Sequence, residues 1–87
     1  MRSETGANGI TYLYPTEADD VTPQMLELAE QVFDGFFADE SHIDWDEFLD
    51  RMAKYSLIED APWEFDETDN AAVRKIKRHI RQYRAES

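Results

Sequence analysis

Apolar positions recur at helical spacing in three stretches of the chain, and the first two are each preceded by a start signal. The first predicts a helix over 23–37. Met25, Leu28, Ala29, Val32 and Phe36 share one side, Leu26 and Phe33 flank them, and Glu27, Glu30 and Asp34 lie opposite. Thr22 suits the N-cap, Pro23 suits the first helical position, and Val21 is placed to staple onto Leu26. So wide an apolar arc predicts a central position. The second helix is expected from Trp45 to about Ser56, opened by Asp44-Trp45-Asp46-Glu47 in the pattern of a capping box, with Ile43 placed to staple onto Phe48. Trp45, Phe48, Leu49, Met52 and Tyr55 face inward, while Asp46, Glu47, Asp50 and Lys54 face water. A third helix is expected from near Asp69 to about Arg84, with Val73, Ile76, Ile80 and Tyr83 on one seam. Arg74, Lys75, Lys77, Arg78 and Arg81 cover the rest of it.

Outside these stretches the pattern changes. Residues 1–9 carry almost no apolar content and read as a disordered tail. Ile10-Thr11-Tyr12-Leu13-Tyr14 is β-branched and aromatic and ends at Pro15, so it reads as a short extended segment. No second strand is evident to pair with it. It is expected to cross the helices as an arm, to pair with another chain, or to lead into the first helix. Residues 57–68, with Pro62, fit neither the strand nor the helix period and read as a long connection. The expected architecture is all-α: a compact three-helix arrangement with an extended N-terminal arm, forming one helical domain over 10–87.

Length and charge narrow the functions open to this fold. A chain of 87 residues buries only about 60–65% of its unfolded surface, which leaves little depth for a water-excluding active site. There is no cysteine, hence no disulfide frame and no thiolate metal site. Neither a membrane-length apolar run nor a signal-peptide pattern is present, and the expected location is the cytoplasm, with no membrane partner. Charge is unevenly placed. Residues 1–70 carry 19 acids against Arg2, Arg51 and Lys54, whereas residues 71–87 carry six bases against Glu86. An acidic body of net −16 therefore precedes a basic helix of net +5. Such a body attracts basic surfaces and repels nucleic acid, so direct nucleic-acid binding is not the expected mode.

Candidate chemistry is sparse. Val32-Phe33-Asp34 followed by Ile43-Asp44-Trp45-Asp46-Glu47-Phe48-Leu49 resembles the entering helix, loop and exiting helix of an EF-hand, and this likeness implies a calcium-responsive module. The loop departs from the EF-hand ligand pattern. Counting from Asp34 puts Phe36 and Ala38 at ligand positions, counting back from Glu47 puts Ser41 where glycine belongs, and only a loop of 14 residues joins both ends. The reading is thus of a degenerate module, with no metal ligands assigned. His42 sits among Glu40, Asp44 and Asp46 and reads as a solvated side chain; His79 reads as structural. The three glycines form no phosphate-cradling loop, and no nucleophile stands beside a base. Ser56 lacks the Asp-Ser-Leu context of a phosphopantetheine site. The chain is not expected to be an enzyme or to carry a cofactor.

What remains is binding. The acid rows Glu27, Glu30, Asp34 and Asp46, Glu47, Asp50 are candidate partner-binding residues, because spaced carboxylates on a helix face can imitate a DNA phosphate path. Tyr14, Trp63 and Phe65, outside the helical seams, are candidate aromatic anchors ringed by acids; with Tyr12, they either serve an interface or fold back onto the helices. The expected function is a small inhibitor or adaptor that docks on a basic surface of a nucleic-acid-binding enzyme or toxin, in a DNA-mimic, immunity-like or antitoxin-like role. Bacteriocin immunity proteins are similar in size, acidity and helical content, without a shared motif here. The alternatives are the degenerate calcium module and a nucleic-acid-binding subunit acting through Arg74, Lys77, Arg78 and Arg81. The bland reading of that basic helix is that it neutralises part of the acidic body.

Overall fold

The first two helices begin where their predicted capping residues stand. In the computed structural model, which describes residues 2–58, 62–65 and 69–86, Thr22 Oγ1 accepts from the Met25 amide at 3.2 Å and opens α1 (Pro23–Val32). Asp44 Oδ1 accepts from the amides of Asp46 (3.1 Å) and Glu47 (3.3 Å) ahead of α2 (Trp45–Ile58). Asn70, rather than Asp69, opens α3 (Ala71–Glu86): its side-chain oxygen accepts from the Val73 amide at 2.8 Å. These side-chain acceptors satisfy amides that a helix terminus otherwise leaves without partners.

Helix α1 is central and packs against both α2 and α3. The core unites Met25, Leu28, Ala29 and Val32 of α1, Phe48, Leu49 and Met52 of α2, and Ala72, Val73, Ile76 and Ile80 of α3. Trp45, Tyr55 and Tyr83, expected inward, are half-buried at its margins. One position on the expected seam is wrong. Beyond Val32 the helix widens to π geometry over Phe33–Phe37. A π turn holds about one residue more than an α turn, so the sequence frame rotates. Phe33 and Phe37 therefore point inward at 3% and 4% exposure, and Phe36 is turned out at 42%. Phe33 meets Tyr83 edge-on at 5.9 Å and Phe37 meets Phe48 at 5.4 Å, joining this turn to both neighbouring helices.

The N-terminus corrects a second expectation. Residues expected as tail form β1 (Arg2–Thr5), which pairs antiparallel with β2 (Thr11–Tyr14), placing Glu4 opposite Tyr12 and Thr5 opposite Thr11. The reversal rests on Gly9, whose φ of +82° suits glycine, and on Asn8, whose side chain accepts from the Ile10 amide at 3.0 Å. Strand β1 is exposed along its length and adds nothing to the core, which is why apolar pattern could not reveal it. Leu13 is the strand residue that packs inward. Its amide donates to the Pro62 carbonyl at 2.8 Å, and its carbonyl accepts from the Glu64 amide at 2.8 Å, so part of the long connection is a third strip beside β2. The remainder of that connection, 59–61 and 66–68, lies outside the described residues. Between β2 and α1, a 3-10 turn at Ala18–Asp20 packs on α3. The Asp20 carboxylate accepts from the amides of Glu17 (2.9 Å) and Thr16 (3.0 Å), and these bonds hold it below its ordinary range.

Candidate partner-binding surfaces

The acid row of α1 does not form one free face. The Glu30 carboxylate lies 3.1 Å from His79 Nε2, and Asp34 accepts from the Tyr83 hydroxyl at 2.7 Å. Both are spent on α3, and the bond to Asp34, followed by partial burial, holds the Tyr83 phenol above its ordinary value. Glu27 alone of the three stays on the other side, with Gln24, Gln31 and Leu28 around a shallow groove.

The α2 row divides as well. Glu47 turns toward Arg51, 3.0 Å away, and together with Glu40, His42 and Asp44 it lines a groove beside Phe36 and Phe37. Asp46 and Asp50 face the opposite way, where Glu64 joins them around Leu49, Ala53 and Phe65 in a groove of about 220 Å³. Phe65 is half-buried on the core at the base of this acidic rim. Asp50 also meets Lys54 at 3.0 Å, but that pair is well exposed and open to exchange. The groove thus gathers three predicted site residues, Asp46, Asp50 and Phe65. Glu64 was missed in the sequence because it sits in a segment without periodicity.

The other aromatics settle differently. Trp63, a candidate anchor whose alternative was to fold back onto the helices, is a core residue at 4% exposure. Its amide donates to Ser56 Oγ at 2.9 Å, and the Ser56 hydroxyl lies 2.7 Å from the Ala53 carbonyl. Ser56 is fully buried and is the residue that draws the connection onto α2. No sequence signal marked it. Tyr14 is half-buried on the hairpin beneath the Arg2 guanidinium, 4.3 Å from its ring centre. Partial desolvation, then hydrogen bonding to Glu4, raises its phenol above the ordinary value.

The basic helix also presents two faces. Lys77 and Arg81 lean over the Trp45 ring at 5.8 and 5.7 Å, where cation–π attraction holds them against α2. Arg74, Lys75 and Arg78 line a separate groove with Ala18 and Ala71. This helix also meets the acidic body directly: His79 lies against Glu30, and Arg84 donates to the Glu40 carbonyl at 2.6 Å.

The segment resembling an EF-hand runs on as helix through Phe37, and the Asp34 carboxylate is directed to Tyr83. Among the described residues, no three histidine, aspartate or glutamate side chains group as a metal site, and no helix is long and apolar enough to cross a membrane. No protein-family model matches the chain, and neither do curated proteins or solved structures.

Proposed function

We propose that this protein is a small acidic inhibitor or adaptor that docks on a basic surface of a partner protein, such as the nucleic-acid-binding groove of an enzyme or toxin. The observation that carries the reading is the groove in which Asp46, Asp50 and Glu64 surround Phe65, Leu49 and Ala53. A lysine or arginine side chain of the partner lays its aliphatic stem on the apolar floor and sets its cation among the carboxylates. The surrounding charge, −16 over residues 1–70, supplies the longer-range attraction that speeds encounter.

The test is affinity capture from native lysate at low and moderate salt, using the parent and the triple variant Asp46→Lys, Asp50→Lys, Glu64→Lys. A basic protein retained by the parent and lost by the variant supports the proposal, and its association with the parent should slow as salt rises. Identical captured sets from parent and variant contradict it, as does retention of nucleic acid by the isolated parent at physiological salt.

A further inference from the structure

Helix α3 gathers three cations near its N-terminal end. The N-terminal end of a helix is positive and favours acids, as at α2, whose first turn holds Asp46 and Glu47. The first turn of α3 has no acid, and Arg74, Lys75 and Arg78 follow in its N-terminal half. Arg74 and Arg78 are also four residues apart, the spacing at which like charges on a helix repel. Three of the nine bases in an acidic chain thus converge on one groove of about 340 Å³, completed by Ala18 and Ala71.

We propose that this groove is a binding site for a phosphate monoester, whose phosphoryl oxygens are held by Arg74, Lys75 and Arg78. A dianion placed there relieves the repulsion among the cations and gives their N–H groups a charged acceptor. The donors are largely uncommitted. Among the described residues, Lys75 Nζ donates to the neutral Ala18 carbonyl alone, at 3.2 Å. Arg74 meets Asp69 at 3.5 Å with both side chains mostly exposed, and Arg78 has no hydrogen bond or ion pair among the described residues. The helix terminus itself is already occupied, since Asn70 takes the Val73 amide and the Thr16 carbonyl takes the Ala72 amide. Binding therefore falls to the side chains. Asp20, in the adjoining turn, is engaged by the amides of Thr16 and Glu17 and does not line the groove. The two alanines leave room for the organic part of the ester. A polyanion is disfavoured, because beyond the groove it meets the acidic body, whereas a single phosphoryl group needs only these three side chains.

The experiment is a backbone amide NMR titration of the whole chain with phenyl phosphate and with inorganic phosphate at constant ionic strength, with sodium chloride as the control. Saturable shifts confined to Ala18 and Ala71–Arg78, with Kd below about 10 mM, are expected. The double variant Arg74→Gln, Arg78→Gln should weaken binding about tenfold or more while keeping the parent melting temperature to within a few degrees, since both side chains are exposed. Lys77→Gln with Arg81→Gln should leave it unchanged. Linear shifts, shifts reproduced by chloride, or undiminished binding to the first double variant would overturn the assignment. Tighter binding of a single-stranded oligonucleotide, weakened by the Lys77 and Arg81 changes, would replace it with an extended nucleic-acid face.

Discussion

Changing Ser56 to alanine removes one buried oxygen, and the consequence is decided by the group that loses it. The Ser56 hydroxyl donates to the Ala53 carbonyl, and that loss is nearly neutral, because the donor leaves with the side chain and a carbonyl inside α2 keeps a backbone amide as its helical partner. The acceptor role is different: the amide of buried Trp63 donates to Ser56 Oγ at 2.9 Å, and alanine leaves it without that partner. An orphaned buried donor costs about 1–3 kcal/mol. For a domain of this size, a loss of about 2 kcal/mol lowers Tm by roughly 8–16 °C. The effect should also be local. Pro62 and Glu64 bond to Leu13 on either side of Trp63, so hydrogen exchange at Trp63 and Glu64 should accelerate more than at Ile76 in the core. Because Glu64 and Phe65 complete the acidic groove, the same change should loosen that groove without touching a carboxylate. Circular dichroism melting and amide exchange read the two effects. A variant that melts within about 2 °C of the parent, with Trp63 still protected, would refute the assigned role of Ser56.

Two further predictions concern the helix ends. Phe33→Ala and Phe48→Ala should each cost about 3–5 kcal/mol by chemical denaturation, a large share of the stability of so small a domain; Phe36→Ala should cost far less, and the reverse order would show that the π turn is misplaced. Tyr83→Phe should lower Tm at neutral pH by removing the bond to Asp34. Since the folded-state phenol is held above the ordinary value of 10.0, its contribution is complete below that pH and is lost as pH rises past it, so parent and variant melting temperatures should converge in alkali.

The helices and most of the core were legible in the residue pattern, because helix formation depends on information within one turn: Thr22 and Asp44 as caps, Pro23 at the first position, and apolar residues three and four apart. The same spacing put Asp46 and Asp50 on the water side of α2 as candidate site residues, and Phe65 was a candidate because it lies outside the helical seams. It could not say that they meet. Their grouping depends on where the connection after α2 returns, and that is decided by Ser56 and Leu13, partners seven and fifty residues from Trp63. Pattern also failed where it carries no signal. Strand β1 has no buried face and therefore no alternation to detect, and Trp63 reads equally well as an anchor or as core until the cavity it fills is known. The α1 acids make the point for charge. Glu27, Glu30 and Asp34 are one row along the helix, yet α3 takes two of them through His79 and Tyr83. Helical spacing determined which side of its own axis each residue occupies. What lies opposite that side was decided only by packing, because the burial of apolar surface that sets the helices against each other sums over the whole chain.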